Sequence, residues 1–436
     1  MAGPATTGAV TTAAAANDPC AGVTLQATDV GVSASTITIE VMADTGSPLA
    51  PGLFQGNVDA VKAFAAYVNK HGGIGCRQVV ARTWDSHLDP SEAKNGQIDS
   101  CQNAVAMVGG NALFNPDVST LAKCADKTGA ATGLPDINAL ANDINEQCSP
   151  QAFTIQAISE TCPVTQGQPR PLKEFVGFDK WLVAQNPGLH GLWLIPADLP
   201  TTIQSSMGLI AAAKASGITI DAAPKVSGAD TQTAYTPRVQ IAKQSGATFV
   251  DDGSNDVAMI RMRSESQAQG LSAVKVWACS LACYTVNELS QGGSTVNGTY
   301  LWMQYLPFEE AATNAQDQAY VSSVSTPDSF GAQAWMAALA FEQAVNSIVK
   351  TQGPNAITRA NLFSALKSIH NFDADGWMGP KDLQGSNSFS DCMVVIQIQN
   401  GKFVRVFPTQ PGTLSCDPAN VATFTLDPAA EAAQLK

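Results

Sequence analysis

A strand, a loop and a helix are predicted between residues 36 and 74, and the rest of the chain repeats this unit. Apolar residues alternate with polar ones over 36–41, as in a β-strand, and recur at helical spacing over 58–68. These apolar residues are Ile37, Ile39, Val41, Val58, Val61, Phe64 and Val68. The loop over 44–56 is rich in Gly, Pro and Ser, and His71 and Gly72 end the helix. Loops between a first strand and a helix bind ligands in open α/β domains.

The alternation of strands and helices continues to residue 407. Further strands are predicted at 78–83, 105–108, 192–195, 248–250, 275–278 and 299–306, with a short strand just before Leu134 and Pro135. Helices are predicted from Pro90, which Asp89 caps, from Asn115 onward, and over 175–183, 203–215, 330–349 and 359–369. Two apolar runs on either side of Asn400 and Gly401 predict a final hairpin. This order is typical of an α/β protein with mainly parallel sheets.

Length, composition and charge restrict the class of protein. A chain of 436 residues with 45% hydrophobic content can bury two cores, so two lobes are expected. The net charge of −13, with only 24 Lys and Arg residues, argues against nucleic-acid partners and anionic membrane surfaces. No apolar run reaches the roughly 18 residues that a transmembrane helix needs. The composition fits a freely diffusing acidic protein.

Ten cysteines are scattered along the chain, and their even number predicts five disulfides formed in an oxidising compartment. Metal binding is the alternative, but the four histidines lie far apart and no CxxC pair is present. Cys279 and Cys283 could form a local disulfide, or instead a redox or metal pair. The predicted pairs are Cys279 with Cys283, Cys392 with Cys416, Cys76 with Cys101, Cys124 with Cys148, and Cys20 with Cys162. The first 30 residues have no basic or apolar signal segment, and predict a flexible tether.

Three stretches carry a resemblance to a known family. They are the ADTGSP loop with its helix and YVNKHGGI, the Asp-Pro turn at Asp89, and the hairpin GPKDLQGSNSFSDCMVVIQIQNGKFVRV. Together they resemble the type I periplasmic solute-binding proteins of branched-chain amino acid (Leu/Ile/Val) ABC transporters. The resemblance spans residues 36–407, and implies a two-lobed α/β fold with mainly parallel sheets, flanking helices and a ligand cleft between the lobes. The implied division is a tether of 1–30, a first lobe of 31–155 plus 306–388, and a second lobe of 156–305 plus 389–436.

The resemblance also implies which residues bind the ligand. Carried over position by position, they are Ser47, Pro48, Leu53, Phe54, Asn111, Ala112, Leu113, Phe114, Leu134, Pro135, Asp198, Thr201, Asp252, Ser254 and Ser280. The backbone amides of 111–114 are expected to hold an anionic group, with Phe54 and Phe114 as apolar walls. The acidic pair Asp251 and Asp252 is either a solvated turn or part of the pocket.

The ligand expected from this comparison is not a simple zwitterionic amino acid. Amino acid binders of the family place an acidic residue just past the strand that is 275–278 here, where it pairs with the ligand's ammonium group. The residues at that place, Cys279, Ser280 and Leu281, are uncharged. A ligand whose ammonium group leaves water without gaining an opposite charge loses most of its affinity. The sequence therefore favours an apolar-bodied carboxylic acid or amide, unless Asp198 or Asp252 substitutes.

The favoured function is capture of a small molecule by hinge closure and delivery to the membrane permease of an ABC importer. No nucleophile elbow, Walker loop, HExxH or dinucleotide motif is present, so no catalytic residue, cofactor or metal is predicted. A ligand-sensing ectodomain or regulator of the same fold, or an α/β hydrolytic enzyme, is the alternative. The resemblance implies an extracytoplasmic monomer, lipid-anchored in its precursor, with a small ligand and the permease as partners and no nucleic acid.

Overall fold

The computed structural model describes residues 19–156, 162–163, 167–384 and 388–429. Its strands are β1 Thr36–Ala43, β2 Gln78–Asp85, β3 Ala106–Val108, β4 Asp136–Ile137, β5 Arg170–Phe175, β6 His190–Pro196, β7 Thr219–Ala222, β8 Lys225–Val226, β9 Phe249–Asp252, β10 Val276–Cys279, β11 Thr299–Met303, β12 Cys392–Gln399, β13 Lys402–Phe407, β14 Ser415–Cys416 and β15 Val421–Leu426. Its α-helices are α1 Gln55–Lys70, α2 Pro90–Asn103, α3 Ile144–Gln147, α4 Gly177–Gln185, α5 Pro200–Ala215, α6 Thr236–Ser245, α7 Asp256–Ala268, α8 Val286–Gly292, α9 Ala315–Ser323, α10 Ser329–Gln352 and α11 Arg359–Lys367. Within these ranges, none of the helices has the length and apolar character needed to cross a membrane.

Two large sheets organise the chain into two lobes, and β5 and β15 form a third, two-stranded antiparallel sheet. The first sheet has the strand order β2-β1-β3-β4, and all its pairings are parallel. The second follows the order β13-β12-β11-β10-β9-β6-β7, with β14 beside β12 and β8 beside β6. Its strands from β11 to β7 are parallel, and the hairpin β12–β13 adds two antiparallel strands at one edge. The predicted α/β class with mainly parallel sheets is confirmed.

The first lobe packs two long helices against its sheet. The apolar face of α1 is buried as its spacing predicts, and His71 follows as the C-terminal cap. The ring of Phe64 meets that of Trp335 on α10 edge to face, with centroids 5.1 Å apart. Asp89 caps α2 by accepting hydrogen bonds from the backbone amides of Ser91 and Glu92. These local predictions are confirmed because each depends on neighbours within one turn.

The predicted helix after Asn115 does not form. Only a short 3₁₀ turn, Leu121–Lys123, lies in this stretch. The side chain of Asn115 is buried and does not act as a cap. Its Oδ1 accepts from Gln97 Nε2 at 2.7 Å, and its Nδ2 donates to Glu146 Oε1 at 3.1 Å. A second correction concerns Pro135, which precedes the strand β4 and does not follow one.

Residues 19–30 are part of the first lobe, which corrects the predicted tether of 1–30. The carbonyl of Gln26 accepts from Arg77 Nη2 at 3.0 Å, and Asp29 Oδ2 accepts from the backbone amide of Arg359 at 2.8 Å. Cys20 is bonded to Cys76, which closes this segment onto the lobe. The remainder of the predicted tether, residues 1–18, lies outside the described residues.

All ten cysteines are paired, as predicted, but three of the five predicted pairs are wrong. The two correct pairs are Cys279 with Cys283 and Cys392 with Cys416. The observed others are Cys20 with Cys76, Cys101 with Cys124, and Cys148 with Cys162. They replace the predicted Cys76 with Cys101, Cys124 with Cys148, and Cys20 with Cys162. Each observed bond joins cysteines that are neighbours in chain order, and spacing alone could not choose between these sets.

Candidate functional site

A cavity of about 290 Å³ lies between the two lobes and extends into the second. The first lobe contributes mainly apolar side chains, among them Leu49, Leu53, Phe54, Leu88, Leu113, Leu140 and Phe330. The second lobe contributes aromatic and acidic ones: Glu174, Phe175, Phe178, Asp179, Trp193, Asp198, Asp251 and Trp302. The size suits a small ligand, and mixed apolar walls with a few polar groups are typical of binding pockets.

Six of the residues expected at the ligand site line this cavity. They are Leu53, Phe54, Leu113, Asp198, Ser254 and Ser280. The other nine do not line it: Ser47, Pro48, Asn111, Ala112, Phe114, Leu134, Pro135, Thr201 and Asp252. Thr201 nevertheless lies between the lobes, because its hydroxyl donates to the carbonyl oxygen of Leu113 at 2.8 Å.

The backbone amides expected to hold an anion are partly occupied by the protein itself. The amide of Leu113 donates to Asp44 Oδ2 at 2.8 Å, and that of Asn111 donates to the carbonyl of Met42 at 2.9 Å. Asp44 also accepts from Ser86 Oγ and from the amide of Leu88, each at 2.7 Å. The carboxylate of Asp44 therefore occupies an anion-binding position, and these two amides cannot also bind a ligand's carboxylate while the bonds are present.

The acidic pair at the end of β9 points in two directions. β9 runs to Asp252, two residues beyond the strand expected at 248–250, so both acids belong to the sheet and neither forms a solvated turn. Neighbouring residues of a strand face opposite sides. Asp251 lines the cavity, whereas Asp252 is fully buried on the other face, where its Oδ1 accepts from the amide of Ser254 at 2.8 Å. The pair was expected to be either a turn or part of the pocket, with ligand contact assigned to Asp252, but it is Asp251 that lines the cavity.

Asp179 and Asp251 are acids buried in the apolar layer between the second sheet and α4. Asp179 is 7% exposed and Asp251 5%, and neither has a hydrogen bond or ion pair among the described residues. Burial raises the pKa of Asp179 to about 7. Burial also raises the pKa of Asp251 well above its usual range, and the charges of Asp179 and Asp252 raise it further. Asp179 could not be recognised from the sequence, because its position in α4 predicts an ordinary acid at a helix N-terminus.

Three described stretches that pass between the lobes beside the cavity are joined by hydrogen bonds. Lys381 Nζ is buried and donates to the carbonyls of Thr154 and Ile155, at 2.6 and 2.8 Å. Gln304 Nε2 donates to the carbonyl of Ser390 at 2.7 Å. Segments held in this way can act as a hinge, because a few residues absorb the change of angle between two rigid lobes.

The histidines of the described chain do not line the cavity, and its cysteines are all paired. His87, His190 and His370 each contact an aspartate at the surface, and His71 contacts the carbonyl of Tyr67. Among the described residues, no histidine, lysine or arginine lines the cavity. Cys279 lines the cavity, but it is bonded to Cys283, so this pair is neither a free thiol nor a metal-ligand pair.

Comparison with known proteins identifies the family. The sequence profile described as "Periplasmic binding protein" matches residues 36–402, which is most of the chain. The chain belongs to the periplasmic binding protein family. Members of this family bind solutes outside the cytoplasm, and the two-lobed fold and interlobe cavity agree with that assignment. No curated protein sequence matches the chain.

Solved structures of the same fold are similar in shape but distant in sequence. A leucine-binding protein from Thermotoga maritima is 12% identical, with a TM-score of 0.65 over 88% of this chain and 99% of that one. A fatty acid ABC transporter substrate-binding protein from Thermomonospora curvata is 16% identical, with a TM-score of 0.65 over 90% and 98%. A branched-chain amino acid ABC transporter protein from Thermus thermophilus with bound valine is 12% identical, with a TM-score of 0.65 over 88% and 98%. At these identities the similarity establishes the fold and not the ligand.

Proposed function

We propose that this protein captures a small organic molecule between its lobes and delivers it to the membrane permease of an ABC importer. The observation that carries the proposal is a cavity lined by both lobes, beside three hydrogen-bonded connecting segments. A ligand that contacts both lobes stabilises their closed arrangement, and no bond chemistry is required. The names of the three structural neighbours, which refer to leucine, a fatty acid and bound valine, support a small organic ligand and an importer partner.

The proposal divides the chain at the connecting segments. The first lobe takes residues 31–155 and 306–388, together with 19–30, and the second takes 156–305 and 389–436. We assign ligand contact to Leu53, Phe54, Leu113, Asp198, Ser254 and Ser280, with Asp179 and Asp251 added. Thr201 is assigned to the contact between the lobes. The protein acts as a monomer without enzymatic activity, and its precursor carries a lipid anchor.

Small-angle X-ray scattering tests this function once a thermal-shift screen of small metabolites has found a ligand. A ligand that binds only the folded state raises the melting temperature. We expect one site per chain and a smaller radius of gyration when that site is filled. A ligand that binds without any change in radius would contradict capture by hinge closure.

Two variants locate the ligand. Phe330 lines the cavity and packs against Phe54 with ring centroids 4.8 Å apart. Phe330→Ala removes a first-lobe wall and is expected to weaken binding roughly tenfold, because a buried aromatic side chain contributes well over 1 kcal/mol. Val286 is 56% exposed and does not line the cavity, so Val286→Ala is the control and should bind as the wild type does. Equal affinity of the Phe330→Ala and Val286→Ala variants would place the site elsewhere.

A further inference from the structure

The charged side chains that line the cavity in the described chain are all acidic. Four acidic residues line it, Glu174, Asp179, Asp198 and Asp251, and no basic residue does so in the described chain. The acids have different surroundings. Asp198 is exposed, and its carboxylate accepts from Ser227 Oγ and from the amide of Gly228, whereas Glu174 Oε1 accepts from the amide of Phe175 at 3.0 Å. Asp179 and Asp251 accept no hydrogen bond from the described protein. A buried carboxylate without a donor is unfavourable unless a partner neutralises it.

No basic side chain among the described lining residues can neutralise the charge of an anionic ligand. The amides of Asn111 and Leu113 already donate to Met42 and Asp44, and a carboxylate placed in the cavity would face Asp179 and Asp251 with no basic side chain among the described lining residues to balance it. Like charges in a site of low dielectric constant repel strongly. A zwitterionic amino acid meets the same repulsion at one of its two ends.

We propose that this cavity binds an organic cation, an amine or ammonium compound with a compact apolar body and no carboxylate, whose charge pairs with Asp179 and Asp251. The inference rests on the proposed solute-binding function and narrows its ligand class. It departs from the carboxylic acid or amide favoured by the sequence, where the position after β10 is uncharged and only Asp198 or Asp252 was considered as a substitute partner for an ammonium group.

The walls of the cavity suit such a ligand. Phe175, Phe178, Trp193 and Trp302 line it together with the acids. Phe175 and Trp302 stack with centroids 4.3 Å apart, so this wall is rigid and apolar. Apolar surroundings strengthen the attraction between opposite charges, and aromatic rings attract cations over their faces. The first-lobe side, with Leu49, Leu53 and Phe330, offers apolar surface for the body of the ligand.

Three probes that share one apolar body separate the charge classes. Leucine carries both an ammonium and a carboxylate, 3-methylbutylamine keeps only the ammonium, and 4-methylpentanoate keeps only the carboxylate. Phenylalanine, 2-phenylethylamine and 3-phenylpropanoate form the matching aromatic set. Calorimetry with each at about pH 8 is expected to show binding of an amine and weaker or no binding of the acid with the same body. An acid that binds more tightly than its matching amine overturns the inference.

Acid-to-amide substitutions then identify the carboxylates that pair with the charge of the ligand. Asp179→Asn and Asp251→Asn keep the size of each side chain, and each is expected to weaken amine binding roughly 10- to 100-fold, as for the loss of a charged hydrogen bond. Asp59→Asn on the exposed face of α1 is the control and should leave the affinity unchanged. Unchanged amine affinity in both cavity variants overturns the assignment of these acids.

A measurement on the wild-type protein covers the case in which the variants fold poorly. Amine affinity should rise between about pH 6 and pH 8, because protonated carboxyls cannot pair with a cation and burial raises the pKa of Asp179 to about 7. The titratable groups that line the cavity are Glu174, Asp179, Asp198 and Asp251. An affinity that falls over this range, or failure of every amine to bind, overturns the inference. Neutral or anionic compounds that then compact the protein in scattering would leave the proposed function standing, and failure of all charge classes would refute both.

Discussion

Replacing Asp179 with asparagine should stabilise the protein near neutral pH while it weakens the binding of a cation roughly 10- to 100-fold. Asp179 is buried on α4 and has no hydrogen-bond donor among the described residues. When its carboxyl is protonated, it resembles the amide of asparagine in size and in charge. When it ionises, the charge lies in an apolar layer that asparagine leaves neutral. The difference in stability between the two proteins should therefore depend on pH.

The magnitude follows from the shift of the pKa. Burial raises the pKa of Asp179 from an ordinary 3.8 to about 7, so the folded state binds its proton more tightly than the unfolded state does. The stabilisation from that proton is complete below about pH 3.8 and is lost as the pH rises through about 7. The whole shift corresponds to about 4 kcal/mol, of which about 2–3 kcal/mol is lost between pH 5 and pH 8. Asp251 acts in the same direction, because a neutral residue 179 no longer raises its pKa.

Chemical denaturation at pH 5 and at pH 8 measures this effect. Asp179→Asn is expected to gain about 2 kcal/mol in unfolding free energy relative to the wild type as the pH rises from 5 to 8. The exposed Val286→Ala variant is the control and should show a difference that does not change with pH, because it alters no charged group. Parallel stability curves for the wild type and Asp179→Asn would refute the reasoning, because they would show that Asp179 ionises in the folded protein as it does in water.

Two further predictions concern the lobes and the disulfides. Thr201→Val removes the 2.8 Å hydrogen bond to Leu113 between the lobes. It should weaken ligand binding by a few-fold, equivalent to about 1 kcal/mol, and leave the denaturation midpoint nearly unchanged. A large loss of stability would contradict a role confined to the contact between the lobes. Non-reducing peptide mapping should recover Cys20 with Cys76, Cys101 with Cys124, and Cys148 with Cys162, and free-thiol titration after denaturation should find almost none; a peptide joining Cys76 to Cys101 would contradict this connectivity.

Most of the fold could be predicted from the sequence because its signals are local. The period of β1, the buried face of α1 and the cap at Asp89 each depend on residues within a few positions of one another. The helix expected after Asn115 does not form, because the side chain of Asn115 makes long-range hydrogen bonds instead of capping a helix. Gln97 and Glu146 use the polar atoms of the Asn115 side chain, which therefore does not cap a helix. Three of the five predicted disulfide pairs were wrong for a similar reason, since spacing in the sequence does not specify which cysteines meet in space.

The site was less predictable because one residue of strand register decides which acid faces the cavity. With β9 expected to end at Val250, both Asp251 and Asp252 fall in a turn, and only the family resemblance selected Asp252. With β9 extended to Asp252, alternation sends the two side chains to opposite faces. The resemblance to amino acid binders directed attention to the position after β10, which is uncharged here. Asp179 comes from α4, and only the packing of this helix on the second sheet brings it to the cavity.

The surroundings of the buried acids separate a ligand role from a structural one. Asp44 is buried, but Ser86, Leu88 and Leu113 all donate to it, so the protein itself satisfies its charge. Glu288 and Asp317 are buried without donors among the described residues, but they do not line the cavity, and burial raises the pKa of each, to about 9 and about 8. The raised pKa values favour the uncharged form of these two acids at neutral pH. Asp179 and Asp251 combine burial and missing donors with a place on the wall of a cavity that a small molecule can enter. The described part of the fold provides no partner for these two carboxyls, and a bound cation can supply one. When the carboxyls are ionised, their unpartnered buried charge is unfavourable, and pairing with a cation relieves it and so favours binding.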